Sequence, residues 1–172
     1  AKDGEVLYEK YVGKIDLRKN DSLTSSTSLH IASTSKTFTG IAILRMVEEK
    51  KLSLNDSLEK FFPGFPYSGI TVMMLLSHRS GLPNYLYFMS NNKWGILPNG
   101  KWNRQYASNQ DVLKMMYDKK PDPTGRPDGR FNYCNTNYVL LALIVEKISG
   151  KSFPVYMQEK LFQPLQMTNT YV

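Results

Sequence analysis

Hydrophobic residues along the chain follow two periods. In KDGEVLYEKYVGKIDL (residues 2–17), Val6, Tyr8, Lys10 and Val12 alternate with Leu7, Glu9 and Tyr11, which predicts a strand. Asp3-Gly4 just before it is a strong hairpin-turn signal, so the segment reads as one arm of a hairpin with only Ala1-Lys2 upstream. A polar Ser/Thr-rich link follows at 20–29, and the period then becomes helical. Phe38, Ile41, Ala42, Leu44 and Val47 give a nearly continuous apolar face on a helix running to about Glu49, predicted to lie buried in the middle of the protein.

Further along, KLSLNDSLEKFFPGFP predicts a short helical turn stopped by Pro and Gly. TVMMLLSHRSG predicts a compact helix with Thr71 as N-cap and Gly81 as the residue just past its end. Residues 82–107 show no sustained period, and so long an irregular stretch is often functional. Ser108 and Asp111 form a capping-box-like start for NQDVLKMMYDKK. The Pro/Gly cluster PDPTGRPDG leads to an extended piece and then a strongly apolar helix ending at Gly150. A last amphipathic helix is predicted from about Phe153 to Phe162, before Pro164.

Composition narrows the class. With 172 residues, 41% hydrophobic and 22% charged, the chain has the size and balance of one globular domain. No apolar run approaches the roughly 20 residues of a membrane span, and no signal peptide is visible in the opening AKDGEVLYEK. The formal charge of +7 would suit an anionic partner, but the basic residues are scattered and mixed with acidic ones. No basic stripe, aromatic RNA-binding signature or zinc-finger spacing supports nucleic acid as a partner. Cys134, the single cysteine, rules out an internal disulfide. His30 and His78 have no carboxylate or cysteine at ligand spacing, so no metal site is expected. His78 near a helix C-terminus is stabilising without any further role.

Two short motifs could carry chemistry. Ser33 and Lys36, in HIASTSKTFTG, are one helical turn apart and share a face. A hydroxyl beside an amine at a helix N-terminus can form an activated nucleophile; it can equally be a serine N-cap followed by a solvated lysine. In NYCN, an extended piece would project Tyr133 and Asn135 to the same side. The phenol can shuttle a proton and the amide can hold a carbonyl. The alternative is a tyrosine packed down and an asparagine capping the next helix. The aromatic residues Tyr85, Tyr87, Phe88, Trp94, Trp102 and Tyr106 either pin down the long loop or border a cleft.

Taken together, Ser-x-x-Lys at the head of a helix and Tyr-x-Asn about a hundred residues on resemble the serine beta-lactamase and penicillin-binding-protein superfamily. The likeness is to its class C and esterase-like branch. It extends over VLYEKYVGKIDL, HIASTSKTFTGIAILRMVEEKKLSLNDSL, GITVMMLLSHRSGLPNY and FNYCNTNYVLLALIVEKISGKSFPVYMQEKLFQPLQMTNTYV, in the family's order. The resemblance implies an α+β, beta-lactamase/transpeptidase-like fold. It implies edge strands at 1–19 and a nucleophile helix and helical region at 30–172, in one partial domain.

By the same resemblance Ser33 is the nucleophile, Lys36 takes or relays its proton and Tyr133 is the second acid/base. Asn135 orients Lys36 and binds the substrate's amide, and the Ser33 N–H is an oxyanion donor. The implied reaction is acyl-enzyme formation on a beta-lactam, a D-Ala-D-Ala peptide or a small ester. No metal or organic cofactor is implied, and the expected setting is the periplasm or cell envelope.

Some features depart from the family pattern. The Lys-or-His/x/Gly triplet expected downstream of Tyr-x-Asn is absent, as are the C-terminal sheet strands, so the chain reads as truncated and its turnover as impaired. The competing reading is a non-catalytic binding module that retains the helical scaffold. Open strand edges would also invite self-association. Cys134 stands where the family has serine and Asp128 where it prefers glycine, which bears on the local turn.

Overall fold

A computed structural model describes residues 1–89 and 107–172 of the chain. A 3₁₀ turn, Ala32–Thr34, leads directly into α1 (Ser35–Glu48). Then come α2 (Leu58–Phe61), α3 (Val72–Leu76), α4 (Tyr85–Phe88), α5 (Asn109–Lys119), α6 (Asn135–Ser149) and α7 (Phe153–Met157). A π-helical turn, Gln158–Phe162, continues α7, so the final helical segment ends where the sequence predicts.

Helix α6 is the centre. Thr136, Asn137 and every residue from Val139 to Val145 are buried, so it is apolar on all sides of its middle turns. Such a helix must be enclosed by others, and α1, α3, α5 and α7 all pack on it. Helix α1 supplies Thr39, Ala42, Ile43 and Met46, the i, i+3, i+4, i+7 spacing of a single stripe. Phe38 adds an edge-to-face contact with Phe162, ring centroids 5.6 Å apart. Ile41 and Leu44 remain 42% and 52% exposed, so α1 lies at the side of the core and not at its middle. The apolar face is continuous in sequence because these two residues are hydrophobic; only the placement of neighbours shows that they face outward.

The capping signals are realised. Thr71 accepts the Met74 N–H at 3.4 Å. Ser108 and Asp111 form a reciprocal capping box for α5, and Gly150 ends α6 in the left-handed region at φ 68°. Helix α3, however, is shorter than predicted, and the left-handed residue past its end is His78 (φ 57°), not Gly81. Gly81 serves a different need. A Cβ there would lie 2.2 Å from the Gly125 carbonyl oxygen, so only glycine lets the two segments meet.

The expected edge strands at 1–19 do not form. Asp3 and Gly4 both take positive φ (51° and 85°), as a hairpin turn requires, and Lys2 bridges Glu5 across them. Beyond that bridge no ladder runs; Val6, Leu7, Tyr8 and Val12 are each more than two-thirds exposed. A strand is held by its neighbour's hydrogen bonds, and among the described residues nothing runs beside 6–12. The open strand edges expected to favour self-association are therefore not strands here. Among the described residues the structure is mostly helical, with isolated bridges in place of a sheet, and no helix is long and apolar enough to cross a membrane.

Candidate active site

The Ser33 turn is locally strained. Ala32, just before it, sits at φ 47°, a conformation that costs a non-glycine residue about 1 kcal/mol or more. Ser35 caps the turn by donating its hydroxyl to the Ala32 carbonyl at 2.7 Å. This bend leaves Ser33 exposed at the head of α1, one turn before Lys36. Lys36 Nζ donates to Ser33 Oγ at 3.1 Å. Of the two readings of Ser-x-x-Lys, the plain cap is excluded: Thr34 holds the N-cap position of α1, and Ser33 lies in the preceding turn.

Tyr133 reaches the same oxygen from the other side of the fold. Its phenol donates to Ser33 Oγ at 2.6 Å across one hundred residues of sequence. Lys36 Nζ also lies 5.0 Å from the Tyr133 ring centroid and 5.7 Å from that of Tyr138, within cation–π range. The Lys36 ammonium, and then the hydrogen bond to Ser33, hold the Tyr133 phenol below the ordinary tyrosine range. Ser33, Lys36 and Tyr133 thus converge on one hydroxyl.

Asn135 does not join them by a hydrogen bond among the described residues. It is the first residue of α6, half-exposed, and Cys134 takes the N-cap position in place of an asparagine cap. Cys134 points away, as an extended backbone dictates. It is 2% exposed, with its thiol toward the Leu82 and Pro83 carbonyls, and burial pushes that thiol up. Of the aromatic loop residues, Phe88 is buried and Tyr87 is 72% exposed; Trp94, Trp102 and Tyr106 lie outside the described residues.

The Tyr133 segment is laced to the turn after α3. Thr124 N–H donates to the Gly81 carbonyl at 2.8 Å and Asp128 N–H to that of Arg79 at 3.0 Å. Asp128 adopts φ 54°, a conformation that aspartate tolerates, and its carboxylate accepts from Arg79 Nε at 3.2 Å. Aspartate is thus accommodated at this position and the turn is kept. His78 continues the lacing: its carbonyl accepts the Asn132 N–H at 2.8 Å, and its Nδ1 accepts the Cys134 N–H at 3.1 Å. Its ring lies against that of Tyr133, with centroids 4.5 Å apart. Burial first, and the nearby Lys36 charge second, keep the imidazole below its usual range.

Deeper in, Asn137 accepts from the Ser80 hydroxyl at 2.7 Å and donates to the Leu75 carbonyl at 3.1 Å. Thr136 donates to the Pro83 carbonyl and accepts the Tyr85 N–H. These buried polar groups fix the start of α6 to the 77–85 turn. Sequence reasoning passed over His78, Ser80 and Asn137 as contributors to the site. Polar residues at the head of an otherwise apolar helix were the available signal. Among the described residues no group of three His, Cys, Asp or Glu is placed to hold a metal ion.

Comparisons with known proteins identify the family of this helical body built around α6. The chain belongs to the beta-lactamase family, whose profile matches residues 1–172, within the serine beta-lactamase and penicillin-binding-protein superfamily. It is 34% identical to penicillin-binding protein 4* of Bacillus subtilis, over 100% of this chain and 36% of that protein. Among solved structures, the octameric penicillin-binding protein homologue from Pyrococcus abyssi superposes with a TM-score of 0.80 at 36% identity, over 96% of this chain and 37% of that one. A D-stereospecific amidohydrolase from Streptomyces sp. superposes with a TM-score of 0.68 at 26% identity, over 81% of this chain and 43% of that one. The chain thus spans little more than a third of the length of the curated relative.

Proposed function

We propose that the chain carries the nucleophile and proton-transfer groups of a serine hydrolase acting on an amide or ester through an acyl-enzyme. The observation that carries the reading is the Ser33 hydroxyl, which accepts from both Lys36 at 3.1 Å and Tyr133 at 2.6 Å. In acylation, Ser33 Oγ bonds to the carbonyl carbon while its proton passes to the Tyr133 oxygen in its phenolate form. Lys36 is the cation that makes that phenolate accessible. Collapse of the tetrahedral intermediate expels the amine or alcohol, which takes the proton back from Tyr133. Water then attacks the acyl carbon, again losing its proton to Tyr133, and the acid leaves from Ser33, which recovers that proton. The Ser33 N–H makes no backbone hydrogen bond among the described residues and serves as an oxyanion donor. Asn135, half-exposed beside Tyr133, holds the substrate's amide.

The candidate substrates are beta-lactams, D-Ala-D-Ala peptides and small esters; likeness to a D-stereospecific amidohydrolase favours an amide at a D-centre. Kinship with penicillin-binding proteins favours the periplasm or cell envelope, and the octameric homologue favours self-association. The alternative is a non-catalytic binding module that retains the helical scaffold. Intact mass after exposure to a fluorophosphonate, and separately to a penicillin, decides between them. A single adduct that disappears in Ser33→Ala is the expected result. A folded chain that gains no adduct from either reagent overturns the hydrolase reading and leaves the binding module.

A further inference from the structure

His78 makes contacts that the acyl-transfer reading leaves unused. It is 7% exposed and holds a left-handed backbone at φ 57°. Its carbonyl accepts the Asn132 N–H at 2.8 Å and its ring Nδ1 accepts the Cys134 N–H at 3.1 Å. One residue therefore grips the backbone on both sides of Tyr133. Its ring also backs the phenol ring, at 4.5 Å between centroids and 32° between planes. Tyr138 lies at 5.2 Å and Phe131 meets the imidazole edge-on at 5.7 Å, so the histidine cannot swing aside without disturbing both.

We infer that His78 is a positioning residue for Tyr133: its neutral imidazole fixes the backbone on either side of the tyrosine and sets the phenol on Ser33. The inference rests on the reading of Tyr133 as the proton-transfer group, but the positioning itself can be measured without any reaction. An apolar residue of similar size would fill the same space, yet it could not accept the Cys134 N–H. An imidazole that accepts at Nδ1 carries its proton on Nε2. Protonation turns that acceptor into a donor facing another N–H, and it adds a charge close to Lys36 on α1. The other titratable groups facing the ring are Tyr133 and Cys134 on the laced segment and Tyr138 on α6.

Two substitutions separate positioning from space-filling. His78→Asn keeps an acceptor on the γ-branch, where Nδ1 is, and asparagine tolerates the left-handed backbone. His78→Gln carries its acceptor one bond further out and fits neither requirement. The 172-residue chain is compared in three forms, with circular dichroism and thermal melts to verify folding. Tyr133 titration is followed by NMR of ring-labelled tyrosine, and Ser33 labelling by fluorophosphonate is followed over time.

The Asn variant is expected to keep the wild-type Tyr133 titration and labelling rate. The Gln variant is expected to move the Tyr133 titration up toward the free value of about 10 and to slow labelling by roughly 10- to 100-fold, as a small misplacement of a reacting group does. A folded Gln variant with wild-type titration and rate overturns the inference, and so does equal loss in both variants. If the Gln variant does not fold, ¹⁵N shifts of His78 in the unmodified chain decide. An unprotonated Nδ1 at neutral pH supports the inference, and a protonated one overturns it. If no form is labelled, the hydrolase reading fails, while the Tyr133 titration still decides whether His78 positions the phenol.

Discussion

Residues 6–12 and residues 139–145 both carry apolar runs, and they meet opposite fates. Val6, Leu7, Tyr8 and Val12 stand in solvent, between 67% and 77% exposed, while Leu140, Leu141, Ile144 and Val145 are fully buried. Part of the difference is composition, since Glu9 and Lys10 interrupt the first stretch and no polar residue interrupts the second; the rest is backbone hydrogen bonding. Helix α6 closes its own backbone hydrogen bonds, so it can be surrounded by other helices and stay apolar on every side. An extended segment leaves its N–H and C=O groups to be satisfied from outside, and burying its side chains requires a neighbouring strand as well. Period-two patterning therefore promises less than helical patterning does. It specifies a face, but the partner for that face must come from elsewhere in the structure.

The same contrast runs through the site, where Ser33 and Lys36 meet through local helical geometry and Tyr133 arrives only through the lacing of distant turns. Tyr133→Phe breaks the long-range half while sparing the local one. Labelling of Ser33 should slow by on the order of 10²- to 10⁴-fold, the usual weight of a positioned acid/base. The pH dependence should sharpen this. Because the Tyr133 phenol is held below its usual value, labelling of the unmodified chain should rise as pH increases through a range below about 10, where the phenolate forms. That rise should be absent in the Phe variant, and a rate indifferent to both changes would remove Tyr133 from the reaction.

Stability separates the two apolar runs next. Leu140→Ala, fully buried in α6, should cost about 2–5 kcal/mol in a urea melt. The cap at Ser108, whose hydroxyl accepts the Asp111 N–H, should be worth about 1 kcal/mol when replaced by alanine, because the first turn of α5 loses an acceptor. Leu7→Ser, at 67% exposure, should change stability by no more than about 0.5 kcal/mol. A large cost at Leu7 would mean that residues 6–12 are covered in solution, and the comparison between the two runs would then collapse.

Much of the helical body was legible in the sequence, because its signals are local. Thr71, the Ser108–Asp111 box and Gly150 mark helix ends through side-chain or backbone chemistry acting within a few residues. The Asp3-Gly4 turn was legible for the same reason, though the strand after it was not realised. The site was legible in part: Ser33 and Lys36 follow from spacing, and Cys134 faces inward as alternation requires. The contacts of His78 were not legible because its sequence neighbourhood shows only a helix end. Its partners, Asn132, Tyr133 and Cys134, lie more than fifty residues away, and a lone histidine gives no sign of which backbone it will meet. The outward turn of Ile41 and Leu44 was hidden in the same way, since a helix face is buried or bare according to what lies beside it.

The sequence by itself determined helices α1, α5, α6 and α7, the caps at Thr71, Ser108 and Gly150, the Asp3-Gly4 turn, the Ser33–Lys36 spacing and kinship with the beta-lactamase family. All of these depend on interactions within a turn or two, or on motifs read in order. Tertiary structure alone decided that Tyr133 meets Ser33, that His78 grips both sides of Tyr133 and that Gly81 must admit the backbone of Gly125. These contacts join segments separated by roughly forty to one hundred residues. They form because burying α6 draws the 77–85 turn and the 124–134 segment onto its first turn.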